Sequence, residues 1–451
     1  MGATVTHFTR SINGVSHSAP PELSLQVFSH LSLRDKVRLS ATTKDYRALF
    51  APEIFATVVF TNADRVAQSA LAAVKVYGKY TTRIEFGPEL IAQISDEDRI
   101  NPEDKLTSPV LLPAAAELLQ GRHTPNLQAA QIHFDFEFDV DAWDDDGEGF
   151  SIYTFEEPEE EGRTRDKEEY WEWRALMNET WQALSSNPHV KDLTIKEFVP
   201  RWTSAFRTDD FRSFLGRLES ANLSILGMDN GAGWKTNTVE GYVIFLAEDL
   251  DQAFFHHMHN LRRLAIHASD EGPLGCEGFR HIPLALKPDD LPVLHSLTLS
   301  NCFVGPELVD FIRSHAQTLT SLDVGGCVSA GDGSGMAENP LYWAEFFDQV
   351  HGIKPALTEL IVGGARAPLT REENYDHYAN EEEEPEVREI RQKLKADSGL
   401  KLFSYCSLDD KYGMFFRDEE VNVEAFQRGD DQRAYERLMG LVKQNKERLG
   451  Q

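Results

Sequence analysis

The sequence predicts an α/β chain: a short N-terminal module of three helices, then a solenoid of alternating strands and helices, then a C-terminal cap. Three observations carry this expectation. Six segments within residues 190–362 share the pattern apolar-x-x-Leu-x-apolar, and helix-start signals punctuate residues 20–52. The acidic excess is confined to blocks, which leaves the rest of the chain balanced enough to fold. Hydrophobic residues make up 41% of the 451 and charged residues 26%, the range of a folded protein with a large core.

The N-terminal elements come first. After Pro21 and Glu22, residues Leu23, Val27, Phe28 and Leu31 recur at helical spacing and predict a first helix with one apolar stripe. Ser32-Leu33-Arg34-Asp35 and Thr42-Thr43-Lys44-Asp45 have the S/T-x-x-D form of a helix start, followed by Val37 and Leu39, then by Tyr46, Leu49 and Phe50. About thirty residues cannot enclose an adequate core alone, so this module needs a partner surface.

Residues 20–35, Pro-Pro-Glu-Leu-Ser-Leu-Gln-Val-Phe-Ser-His-Leu-Ser-Leu-Arg-Asp, continuing through Leu39 and Ser40 to Tyr46 and Arg47, resemble the F-box, especially that of F-box proteins of filamentous fungi. The chain departs from the family pattern at Ala19, Thr43 and Tyr46, where leucine, cysteine and tryptophan are usual. The resemblance covers about one tenth of the chain. It implies docking onto a Skp-type adaptor, and through it a cullin-RING ubiquitin ligase, by Pro20, Leu23, Val27, Leu31 and Leu39.

The six repeated segments are Val190/Leu193/Ile195, Leu223/Leu226/Met228, Leu261/Leu264/Ile266, Leu294/Leu297/Leu299, Leu319/Leu322/Val324 and Leu357/Leu360/Val362. Their starts lie 33, 38, 33, 25 and 38 residues apart. This is the signature of leucine-rich repeats, in which a short strand turns leucines inward and a helix returns the chain. Two copies extend to Cys302 and Cys327, at a turn where a small buried group is wanted. Weaker early copies sit at Ile84 and Phe86 and at Leu127/Ala130/Ile132. Residues 206–218, 243–258, 306–316 and 341–350 have the spacing of return helices.

Because side chains alternate along a strand, the residues beside the inward ones project from the opposite, concave face. On this register they are Asp192, Thr194 and Lys196; Ile225, Gly227 and Asp229; Arg263, Ala265 and His267; Ser296, Thr298 and Ser300; Ser321, Asp323 and Gly325; Glu359, Ile361 and Gly363. Lys196, Arg263 and His267 form a positive spot on an acidic protein. With Ser296, Thr298, Ser321 and Asp323 they are the candidate client-binding residues.

The remaining boundaries follow from charge. Residues 135–172 hold 17 acidic and 3 basic side chains, and residues 372–389 hold 9 and 1, out of a net charge of −29. Both read as solvated segments, an insertion at 135–172 and a linker at 366–399. The predicted division is a disordered N-terminus (1–17), an adaptor-binding module (18–60), the solenoid (61–365) and a capping segment (400–451). In the last, residues 400–403 and 414–416 read as strands, and residues 424–449 as a helix with Tyr435, Leu438, Val442 and Leu449 on one face.

Several chemistries are missing. Gly-rich residues 325–335 and 231–236 do not complete a phosphate loop, and His256-His257-Met258-His259 has no carboxylate or cysteine at helical spacing. Cysteines 276, 302, 327 and 406 include no C-x-x-C pair and are expected as reduced, buried thiols. No cofactor, no metal and no catalytic residue is expected. The acidic balance disfavours nucleic acid and anionic membrane surfaces as partners. No apolar run approaches the length of a membrane span, which predicts an intracellular protein, cytoplasmic or nuclear. The expected function is that of a non-catalytic substrate receptor in an SCF-type ubiquitin ligase, binding a client protein on the repeat face. A leucine-rich-repeat scaffold outside any ligase is the alternative.

Overall fold

The computed structural model describes residues 11–12, 15–16, 26, 28–90, 105–106, 109–136, 152–277, 280–330, 341–363, 385–409 and 411–450. Near the N-terminus, helices form where caps are encoded. Helix α1 (Leu33–Ser40) begins at Ser32, whose hydroxyl accepts from the Asp35 amide at 3.2 Å. Helix α2 (Lys44–Ile54) begins at Thr43, which accepts from the Tyr46 amide at 3.1 Å. The cap is therefore Thr43 rather than Thr42. Gln26, Phe28 and Ser29 are helical, and Phe28 packs edge-on against Tyr46 and Phe50 with centroids 5.6 and 5.2 Å apart.

The body is mixed α/β around a mostly parallel eleven-stranded sheet. Its strands are β1 (Thr57–Phe60), β2 (Arg83–Phe86), β3 (Ala129–His133), β4 (Asp192–Phe198), β5 (Ser220–Ile225), β6 (Arg263–His267), β7 (Ser296–Phe303), β8 (Ser321–Ala330), β9 (Glu359–Val362), β10 (Tyr405–Leu408) and β11 (Phe415–Arg417). From β1 to β9 each strand pairs in parallel with the next one in sequence. At its far end the long β8 also pairs with β10 through Ser329 and Ala330, and β11 closes antiparallel on β10. β1 thus joins the sheet inside the segment 18–60, and the tail strand is Tyr405–Leu408 rather than 400–403.

A second ladder fixes the strands at their N-terminal ends. The carbonyls of Ala56, Thr82, Gln128, Lys191, Glu219, Arg262, His295 and Thr320 each accept two consecutive amides from the start of the following repeat. Each of these eight carbonyls finds two donors, so the repeats stack at one spacing despite their unequal lengths.

The register corrects one repeat. Ala221 and Leu223, not Leu226 and Met228, lie level with Leu193 and Ile195 on one side and Leu264 and Ile266 on the other. The second copy is Leu218/Ala221/Leu223, and the leucine expected in its middle is an alanine. The inward residues of β1–β9, among them Ile84, Phe86, Ala130 and Ile132, are all at most 8% exposed. Their core is shared with helices α3 (Asp64–Tyr77) and α4 (Pro113–Leu119) through Leu71 and Leu118. Helix α5 (Glu161–Tyr170) buries Thr164 and packs on α6 (Glu172–Ser185), which joins the core with α7 (Asp209–Leu215), α8 (Pro306–Ser314) and α9 (Trp343–Ile353) through Leu176, Phe211, Leu308 and Phe346. The alternate strand residues are half-buried or exposed, apart from the buried Gln131.

The acidic segments are more structured than their charge suggests. Ile152 and Phe155 are buried, and Glu159 sits in the interior with Arg174 at 2.6 Å and Lys167 at 3.0 Å. Residues 152–172 are thus part of the fold, because three cations neutralise what local composition leaves unbalanced: Arg201 also acts on Glu159. Likewise helix α10 (Pro385–Ala396) buries Val387 and Ile390 against Leu402 and Val423, inside the stretch expected as linker. Helices α11 (Glu419–Arg428) and α12 (Asp430–Arg448) meet at Gly429, whose φ of 68° breaks the single predicted helix. Tyr435, Leu438 and Val442 are buried; Leu449 is exposed. Asn445 of α12 donates to the carbonyls of Pro355 and Leu357 at 2.9 Å, covering the start of β9.

Candidate functional site

The open face of the sheet is an ordered array of mostly polar side chains. Register aligns its residues into rows. One row runs Arg83, Ala129, Asp192, Ser220, Arg263, Ser296, Ser321, Glu359, and the next runs Glu85, Gln131, Thr194, Asn222, Ala265, Thr298, Asp323, Ile361. A third carries Ser224, His267 and Ser300, while His133 and Lys196 are level with each other on the far side of a register shift between β4 and β5. Neighbours within a row are about 4.8 Å apart, set by the strand spacing. The middle of the face is paved with hydroxyls and amides, and its two ends carry exposed Val59 and Ile361.

All seven sequence-predicted face residues, Lys196, Arg263, His267, Ser296, Thr298, Ser321 and Asp323, lie on these rows. From β5 the face receives Ser220, Asn222 and Ser224 instead of Ile225, Gly227 and Asp229, as the corrected register demands. The expected positive spot is not one cluster. Arg263 lies four residues from His267 along β6, about 13 Å, and its guanidinium pairs with Asp192 at 3.5 Å. His267 is level with Ser224 and Ser300, and the register shift between β4 and β5 separates that row from Lys196. His133, level with Lys196, meets Glu197 at 2.7 Å. Ser321 donates to Glu359 at 2.8 Å, and the Asp323 carboxylate accepts from the Gly325 amide at 2.9 Å. Sequence reasoning missed the Arg83, Glu85 and Gln131 network, in which Arg83 binds both partners at 2.7 Å. Applying the alternation to the early copies, Ile84 and Phe86 on β2 and Ala130 and Ile132 on β3, would have exposed it.

Above the C-terminal strand ends, the tail returns. The amide of Lys235 donates to the Tyr412 carbonyl at 3.0 Å, and Asn237 donates to the Gly413 carbonyl at 3.1 Å. Trp234 meets Tyr412 edge-on at 4.7 Å, with the Lys411 ammonium 5.4 Å from the indole. Lys235 pairs with Glu271, and burial holds its ammonium below the usual lysine range despite Asp229 and Asp270 nearby.

Of the adaptor-docking residues, Pro20, Leu23 and Val27 lie outside the described residues. Leu31 and Leu39 are half-buried, and α1 leaves Leu33 and Val37 exposed by 56% and 46%. All four cysteines are free and buried; the Cys302 and Cys327 thiols donate to the Ser300 and Leu299 carbonyls at 3.4 Å. Among the described residues no cluster of three metal-ligating side chains occurs. His256 instead meets Asp290 at 3.1 Å. No helix among the described residues is long and apolar enough to cross a membrane. No protein-family model matches the chain, and no curated protein matches it.

Proposed function

We propose that this chain is the substrate-recognition subunit of an SCF-type ubiquitin ligase. Its N-terminal helices dock on a Skp-type adaptor, and the open sheet face of a leucine-rich-repeat-like solenoid holds a client protein. The observation that carries the reading is the pair Leu33 and Val37, one turn apart on α1 and more than two-fifths exposed, beside half-buried Leu31 and Leu39. An apolar helix face left uncovered beside a well-packed body fits a module completed by a second polypeptide. The sequential parallel strands supply the other half: strands stack about 4.8 Å apart and helices about 10 Å apart, so such an array bends with its strands inside and offers a recessed polar face. The chain then acts by proximity, raising the effective concentration of a client lysine near a charged ubiquitin carrier.

Co-expression with a Skp-type adaptor tests this. A stoichiometric complex is expected, and Leu33→Asp combined with Val37→Asp, both at exposed positions, should abolish it while leaving the thermal melt of the isolated chain unchanged. Absence of a complex with the native chain would overturn the reading. Client capture without any adaptor would make the chain a scaffold instead.

A further inference from the structure

The strand-entry edge of the sheet, opposite the edge crossed by the tail, has a charge unlike the rest of the molecule. The segments leading into β2–β9 (residues 78–82, 120–128, 186–191, 216–219, 259–262, 291–295, 315–320 and 354–358) hold six Lys or Arg and one acid, Glu219, in a chain of net charge −29. These residues are dispersed in sequence, and stacking assembles them into a strip.

At the centre of the strip lies a groove of about 510 Å³. Lys191, Glu219, Arg262 and His295 occupy the same position in four successive repeats, held by the carbonyl ladder that links their backbones. Adjacent ones are therefore about 4.8 Å apart and Lys191 and Arg262 about 10 Å. Lys191, Arg262 and His295 are exposed; Pro188 and Val293, both exposed, contribute apolar surface. Arg217 is committed to the structure, donating to the Asn187 and Ser213 carbonyls at 3.0 Å. Arg262 has no carboxylate partner among the described residues. Lys191 binds Glu219 at 2.6 Å, and that hydrogen bond, with Arg262 and Arg263 beside it, holds the Glu219 carboxyl below its ordinary range. Glu219 thus occupies a place that an incoming carboxylate would take.

We propose that this groove is a docking surface for an extended peptide segment that alternates acidic and apolar residues. Alternate side chains of an extended peptide point the same way about 7 Å apart, so two carboxylates on one side of it reach Lys191 and Arg262, and a groove that Pro188 and Val293 also line suits apolar residues flanking them. The groove holds a few side chains and is flanked by an acidic molecule, which disfavours a long polyanion such as nucleic acid. The surface is distinct from the sheet face and stands whether or not the chain joins an adaptor.

Fluorescence anisotropy with a labelled synthetic peptide alternating glutamate and leucine tests it, with the same peptide carrying glutamine for glutamate as control. The glutamate peptide should bind at least about tenfold tighter, and raising salt from about 50 to about 300 mM should weaken it. Lys191→Glu with Arg262→Glu should cost about tenfold or more at an unchanged melt, and Glu219→Gln alone should tighten binding about threefold. Equal binding of the two peptides, indifference to both sets of substitutions, or tighter binding of single-stranded DNA would overturn the proposal.

Discussion

The repeat body and the N-terminal helices use leucine in opposite ways. Leu294, Leu297 and Leu299 are at most 1% exposed, whereas Leu33 is 56% exposed on a helix whose caps are just as well formed. Each body leucine is enclosed by the repeats before and after it. Among the described residues the leading helices meet the body on one side, where Phe55 stacks on Tyr77 at 4.2 Å and Thr81 donates to the Phe55 carbonyl at 2.9 Å. Good local helix signals therefore do not make a complete hydrophobic environment; stacking does.

The contrast can be broken by substitution, and the largest effect is expected in the body. Arg174→Ala strips Glu159 of its fully buried partner and should cost about 3–5 kcal/mol, read by urea unfolding; a change under about 1 kcal/mol would mean that residues 152–172 are not part of the core. Next, Leu297→Ala should cost about 2–5 kcal/mol, since the neighbouring repeats cannot both collapse into the space.

A pH series sharpens the body side further. The Asp290 carboxyl is pushed up to about 7, chiefly by burial and then by Asp251 beside it, with His256 opposing. Lys287 pairs with Asp251 from the same loop, and the buried His315 ring contacts the Asp290 carbonyl at 2.9 Å. The folded state keeps a proton that the unfolded chain releases near 3.8. Stability from this pair is thus full below about pH 4, falls as pH rises toward 7, and levels off above. Asp290→Asn should flatten that decline in urea midpoints taken across the range; an unchanged slope refutes the shared proton. The smallest effect belongs to α1: Leu33→Ala should change stability by less than about 0.5 kcal/mol, and a loss as large as that of Leu297→Ala would erase the distinction between the two regions.

How much was legible beforehand depends on the range of the interaction. Ser32 and Thr43 cap helices through amides three residues on, so their signals are local and could be read, to within one residue at Thr43. The Leu-x-Leu alternation placed β4 and β6–β9 for the same reason. It failed at the second repeat because Ala221 fills the leucine position while Leu226 and Met228, both buried beyond the strand, imitate the pattern. Only pairing with β4 and β6 distinguishes the two frames, since a strand's register is a property of its neighbours. Glu159 was misread for a similar reason: charge density along the chain cannot see Arg174 and Arg201.

The amino-acid sequence alone determined where helices start, which residues alternate inward, and that the chain is α/β with capped helices ahead of its sheet. Those follow from contacts within a few residues and from the period of each element. Tertiary structure alone decided that Arg263 belongs to Asp192 and not to His267, that residues 152–172 fold, and that scattered cations gather along one edge. Electrostatic and packing energies depend on distance in space, and stacking repeats of unequal length brings together side chains that no window along the chain contains.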